Sequence, residues 1–169
     1  MPDLLVKLFD LSDDWSFQPG QEGLGILIRK PLGPERQLLI DWVRAASGDG
    51  WASEMETALG NRPQTCFVAI KDKAPIGFAC YDAAALGFFG PIGIIEEHRG
   101  EGTGKALLMA CLLDMKLKDY GYAVIGWAEP AGFYRTTVGA FEIPDEGSAR
   151  PSVYKTMLHY PKGSPNRGT

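Results

Sequence analysis

Histidine and cysteine are scarce in this chain, two and three residues of 169. The three cysteines (Cys66, Cys80, Cys111) form no Cys-x-x-Cys pair and sit in apolar segments, so they read as buried thiols. His98 and His159 have no Asp or Cys at the spacing of a triad or metal site. No metal is expected, and His98 reads as a loop residue. Positive charge is also short: the net charge of -4 provides no basic stripe, which argues against nucleic acid as a partner. No apolar run approaches a membrane span, and Met1-Pro2-Asp3-Leu4 lacks the basic start and long apolar core of a signal peptide. The expectation is a cytoplasmic chain without a membrane partner. Neither an internal repeat nor a low-complexity tract is visible. The 45% apolar content is ordinary for a globular core, and the length suits one domain.

Glycine, by contrast, is concentrated where it matters. Arg99-Gly100-Glu101-Gly102-Thr103-Gly104-Lys105 alternates three glycines between an Arg and a Lys. The apolar segment before it, Phe88 to Ile95, reads as a strand, and Ala106 to Leu117 reads as an amphipathic helix. A glycine-rich turn between strand and helix lets backbone N–H groups converge on phosphate, aided by the positive end of the helix. A P-loop is excluded, because Arg99 stands at its first Gly position and Ala106 follows Lys105. A dinucleotide fingerprint is excluded because Lys105 replaces its third Gly.

Around the loop, periodicity predicts a mixed α/β order. Leu4 to Leu11 alternates as a strand, Asp10 to Gly23 reads as loop, and Ile26 to Arg29 as a short strand. Pro34 opens a helix over Glu35 to Ala46, and a second runs from Trp51 to Leu59. Thr65 to Ile70 and Ile76 to Tyr81 form a hairpin across Lys71 to Pro75. The Phe88 to Ile95 strand is interrupted by Gly90-Pro91 and Gly93, residues that mark bulges or edges. Ala123 to Trp127 is a strand, Pro130 to Val138 a short helix stopped by Gly139, and Ser152 to His159 a final strand. The tail 161–169 reads as loose.

Arg99, Gly102 and Gly104 in the spacing Arg-x-x-Gly-x-Gly resemble the acetyl-CoA pyrophosphate loop of the GNAT N-acetyltransferase superfamily. Phe133-Tyr134, followed by Gly139-Ala140-Phe141, resembles that family's second signature, with Ala140 inserted. The resemblance covers about Gly25 to Tyr160. It implies the GNAT-like fold: a central splayed mixed β-sheet flanked by helices. It divides the chain into an N-terminal extension (1–24, an added edge strand), a GNAT-like domain (25–160) and a tail. It also implies that Gly90, Pro91 and Gly93 bulge one strand away from its neighbour. Ile92 and Ile94 then offer backbone groups to the pantetheine arm, while Arg99, Gly100, Gly102, Thr103, Gly104 and Lys105 surround the pyrophosphate. Lys105 either reaches the phosphates or is a solvated helix residue; Arg99 either binds or anchors the loop.

The implied activity is acetyl transfer from acetyl-CoA to an amine in a ternary complex, with a small-molecule or protein amine as acceptor. Such an amine is protonated at neutral pH and must lose that proton before attack. Tyr134 matches the family tyrosine that protonates the leaving thiolate; the alternative is a core tyrosine bonded to a carbonyl. For the base, Glu129, Asp82 and water stay open. Trp127 stands where members often carry Asn, and Pro130 where they carry Ala; Trp127, with Trp42, Trp51 and Tyr81, either packs as an ordinary core or surface residue, the reading that is favoured, or forms a wall of the acceptor pocket. The competing reading is a non-catalytic acyl-CoA-binding module acting as sensor or scaffold. A homodimer is an expectation from general frequency alone.

Overall fold

The computed structural model describes residues 1–159. Seven strands form one mixed sheet in the order β2-β3-β4-β5-β6-β1-β7. They are β1 (Leu4–Lys7), β2 (Ile26–Arg29), β3 (Cys66–Lys71), β4 (Ala74–Tyr81), β5 (Phe88–Ile94), β6 (Tyr122–Ile125) and β7 (Phe141–Glu142). Five helices join them: α1 (Phe17–Glu22), α2 (Arg36–Ser47), α3 (Asp49–Gly60), α4 (Thr103–Leu117) and α5 (Ala131–Val138).

Strand alternation sorts the core into two layers. Phe67, Ala69, Ala79 and Tyr81 face α4, whose Leu107, Cys111, Leu112 and Met115 are wholly buried. Cys66, Val68, Phe78 and Cys80 face the opposite side and pack on α2 and α3 through Leu39, Val43, Met55 and Leu59. All three cysteines are free and buried, as their apolar surroundings suggest. The β3–β4 hairpin turns on Asp72 and Lys73, both at positive φ, a two-residue loop that suits the strand twist. β4 therefore starts at Ala74, two residues before the predicted strand.

Three expectations are corrected. Asp10 to Gly23 is not all loop: it holds α1, whose Pro19 lies in the first turn, where a missing N–H costs no helical bond. β1 is not the sheet edge, because it pairs antiparallel with β6 on one side and β7 on the other. Ser152 to His159 is no strand; Val153–Thr156 is a 3₁₀ turn. The outer edge of β6 is already taken by β1, and Tyr154 instead lays its ring over Gly126 and beside Trp127, with ring centres 4.6 Å apart. Tyr81 takes the packing role rather than the pocket one: it is wholly buried and its hydroxyl donates to Asp114 Oδ2 at 2.6 Å. The expected tail 161–169 lies outside the described residues, as does Tyr160.

The entry to α2 is clamped by a forked ion pair. Arg29 donates from both terminal nitrogens to Glu35, at 2.8 and 2.7 Å, and Leu32 N–H donates to the same carboxylate at 2.7 Å. The hydrogen bonds from Arg29 and then Leu32 pull the Glu35 carboxyl down from 4.5 to about 2. A carboxyl depressed by folding stabilises the fold above its unfolded value and loses that contribution as pH falls through its folded one. Glu35→Gln should therefore lower the urea midpoint at pH 6–7, and the gap to the parent should close as pH falls from about 4.5 towards about 2. A pH-independent gap would mean the charge of Glu35 is not what stabilises the clamp.

Candidate active site

The sheet opens between β5 and β6. These parallel strands pair only at Phe88↔Val124 and Phe89↔Ile125. On the other side of β5, Ala79 pairs with Ile92 and Tyr81 with Phe89, so Gly90 and Pro91 stand opposite Cys80 alone. This is a bulge at the dipeptide singled out in the sequence, and Gly90 adopts φ 123°, a conformation that favours glycine. Beyond it β5 stays bonded to β4 but has lost β6. Ile95 N–H donates to Ile76 O at 2.9 Å. By alternation, the N–H and C=O of Ile92 and Ile94 point the other way, into the opening.

The glycine loop closes one end of this opening. A 3₁₀ turn over Glu96–His98 leads into it, and Gly100 and Gly102 take φ of 84° and 78°. Gly102 is the N-cap of α4, and the first bond of the helix runs from Ala106 N–H to Gly102 O at 3.0 Å. The N–H groups of Thr103, Gly104 and Lys105 thus have no intrahelical acceptor. Together with the helix dipole they form an anion site. Arg99 Nε donates to Ile94 O at 3.4 Å, which ties the loop to the free strand edge.

A cleft of roughly 920 Å³ runs along both features. Ile92, Ile94, Arg99, Gly100, Gly102, Gly104 and Lys105 line it, as do Glu129 and Tyr134 from the far side of the opening. Thr103 is the exception among the expected residues. Its side chain is buried and its hydroxyl donates to Gln21 Oε1 at 2.8 Å, so only its backbone is available. Gln21 also donates from Nε2 to Glu101 O at 2.9 Å. This buried glutamine of α1 props the loop from behind, and sequence reading missed it because it lies in the segment taken for loop.

Tyr134 projects from α5 and is 6% exposed. Among the described residues no protein group bonds its hydroxyl, and no wholly buried polar atom is left without a partner, so the hydroxyl reaches the cleft. Burial raises the pKa of this phenol, which keeps its proton at neutral pH. Asp82 is occupied elsewhere: its two oxygens accept from Gly87 N–H at 2.7 Å and from Tyr120 at 2.5 Å. Glu129 is exposed at the cleft mouth. His98 also lines the cleft, with Nδ1 3.0 Å from Glu101 Oε2. Trp42 and Trp51 line it against Phe78, and a Cβ at Gly93 would come within 2.9 Å of that phenylalanine ring. Trp127 does not reach this cleft; its N–H donates to Asp3 Oδ1 at 2.9 Å and its ring lines a second cavity. Among the described residues no cluster of three metal-ligating side chains occurs, and no helix is long and apolar enough to cross a membrane.

Thr103→Val should leave Gln21 Oε1 buried without its donor. The expected loss is about 1–3 kcal/mol in urea unfolding. A loss below the error of the measurement would show that the prop does not hold the loop.

Comparison with known proteins agrees with this geometry. The family model described as acetyltransferase (GNAT) domain matches residues 62–137, from the end of α3 through α5. No curated protein matches the chain in sequence. Among solved structures, a GCN5-related glucosamine N-acetyltransferase region in a fungal multi-domain GH3 beta-N-acetylglucosaminidase matches at 16% identity and a TM-score of 0.67. The match covers 84% of this chain and 19% of that one. A GCN5-related N-acetyltransferase from Sphaerobacter thermophilus matches at 15% identity over 84% of this chain and 48% of its own, with a TM-score of 0.63. One from Kribbella flavida matches at 15% identity over 83% of this chain and 53% of its own, TM-score 0.53. The chain thus spans less than two thirds of each of these proteins, and at such identities they show the fold. A splayed sheet, a glycine loop at a helix start and a Phe-Tyr helix opposite it occur together here, within the span that matches the acetyltransferase (GNAT) domain model and on a fold shared with these solved structures.

Proposed function

We propose that this chain transfers an acetyl group from acetyl-CoA to the amine of an acceptor, by direct attack in a ternary complex in the cytoplasm. The observation that carries the proposal is a single cleft joining a free strand edge to an unsatisfied helix N-terminus. The two suit the two parts of the donor: a peptide-like pantetheine arm and a charged pyrophosphate. The backbone groups of Ile92 and Ile94 bond the arm as a missing strand would. The N–H groups of Thr103, Gly104 and Lys105, with Arg99, hold the phosphates.

Acetyl-CoA supplies the acyl carbon: its bond to the amine nitrogen forms as its bond to sulfur breaks. The chain handles the protons. Glu129, at the mouth of the opening, accepts the proton of the incoming ammonium, and the second proton leaves the nitrogen to water as the amide forms. Tyr134 donates its phenolic proton to the leaving thiolate and is reprotonated from water. Its raised pKa keeps that proton in place until a base appears. A backbone N–H on the free edge of β5 faces the developing oxyanion.

Thermal unfolding tests the donor. Acetyl-CoA at a hundred times its dissociation constant adds about 2.7 kcal/mol, and free adenosine bisphosphate is the control. No shift with millimolar acetyl-CoA would remove the donor site. Tyr134→Phe should keep that shift while kcat for thiol release falls about 100-fold or more. Unchanged turnover would remove the tyrosine's role. A shift without thiol release against any amine would favour a non-catalytic acyl-CoA-binding module.

A further inference from the structure

A second cavity, roughly 760 Å³, opens on the other side of the splay. It meets the donor cleft at four residues that line both: Trp51, Ile92, Glu129 and Tyr134. The two spaces differ in charge. Arg99, Lys105 and His98 line the donor cleft beside Glu96 and Glu129. Among the described residues no Lys, Arg or His side chain lines the second cavity; its charged lining is two carboxylates, Glu54 and Glu129, with the amino group of Met1, which pairs with neither. Five aromatic residues line it, with Phe89, Trp127 and Tyr154 added to the shared Trp51 and Tyr134.

Glu54 is unlike the other acidic residues of its helix. Asp49 pairs with Arg44 and Glu56 with Arg36 on the outer surface. Glu54 is half-buried, and among the described residues it makes no ion pair and no hydrogen bond. Burial raises its pKa. Its charge is felt across the cavity: burial first, and then the Glu54 carboxylate, push the Tyr154 hydroxyl up to about 12. A half-buried carboxylate without a cation is costly unless a cation arrives with the ligand.

We infer that the second cavity is the acceptor site, that it takes a primary amine carried on a flat apolar body, and that Glu54 selects the amine by pairing with its ammonium group. The inference rests on the acetyl-transfer reading for the fate of the amine, but not for its binding. The ring of such a ligand stacks among Trp51, Trp127 and Tyr154, whose faces also attract the cation. The amine lies towards Glu54 and Glu129, and Glu129 leads to the junction with the donor cleft. A cationic acceptor and an anionic donor thus approach from opposite sides, each towards groups of opposite charge. Glu54 is a specificity residue and is not assigned a proton-transfer role.

Two lining tryptophans make the test direct. The intrinsic fluorescence of the full chain is titrated with 2-phenylethylamine, its neutral counterpart 2-phenylethanol, and ethylamine. The aromatic amine should bind saturably and at least ten-fold more tightly than either control. In Glu54→Gln, binding of the amine should weaken at least ten-fold while binding of the alcohol stays unchanged. The thermal shift with acetyl-CoA, read on the same variant, should match the parent and reports that the fold and donor cleft are intact. Equal binding of amine and alcohol, or undiminished amine binding by Glu54→Gln, overturns the inference even if acetyl-CoA binds. Selective amine binding without an acetyl-CoA shift would uphold it and overturn the acetyl-transfer reading instead.

Discussion

The two-residue bulge at Gly90 and Pro91 is the constraint on which the site depends. A parallel pair that continued past Phe89↔Ile125 would satisfy the backbone of β5 and close the sheet. Instead β5 keeps β4 and gives up β6. An unpaired strand edge is normally a liability that folds cover or blunt. Here it faces an open cleft, so its N–H and C=O groups stay accessible to a peptide-like ligand. The bulge also separates the side chains at the ends of the two strands. Glu129 and Tyr134, beyond β6, then stand across a gap from Ile92 rather than packed against it.

Position at the other end of the cleft comes from burial. α4 has nine buried residues of fifteen and is wedged under β3, β4 and β5, so its N-terminus cannot shift without moving the core. Its loop offers mainly backbone N–H groups, whose directions are set by φ and ψ rather than by rotamers. The buried hydroxyl of Thr103 is committed to Gln21, and Gln21 to Glu101 O. A side chain from α1, far away in sequence, thereby fixes a loop whose free donors are on its main chain. Arg99 completes the link, because its bond to Ile94 O joins the phosphate end of the cleft to the strand edge.

The parts of the site legible in the sequence are those with local causes. Gly100 and Gly102 need positive φ, and their alternation is visible in the chain itself. Gly90-Pro91 marked the bulge because neither residue suits an interior strand. Gly139 ended α5 in the left-handed conformation. What stayed hidden depends on distant partners. α1 carries Pro19 and Gly20, so local propensity opposes it, and it is held by contacts with β2 and α4. The alternation of Ser152 to His159 is that of a strand, but the place beside β6 belongs to a segment from the other end of the chain. Tyr81 and Asp82 looked like cleft residues because they end a strand next to the bulge. Their partners, Asp114, Lys118 and Tyr120, come from α4 and the turn after it. Nothing in one sequence separates the half-buried Glu54 from the solvated Glu56 two positions on.

The placement of carboxylates follows from the same geometry. Asp82 follows β4, where Oδ1 closes the loop to β5 through Gly87 N–H and Oδ2 accepts from Tyr120 beyond α4. Releasing one would leave Gly87 N–H or the Tyr120 hydroxyl without its acceptor, a cost of about 1–3 kcal/mol at a part-buried site. Glu129 has no such commitment among the described residues and lines both cavities. A group that must meet an ammonium on one side and a reacting carbonyl on the other has to stand where the two spaces join. Of the carboxylates near the opening, Glu129 alone stands there, because the chain leaves β6 at Ile125 and turns through Trp127 into α5 across the splay.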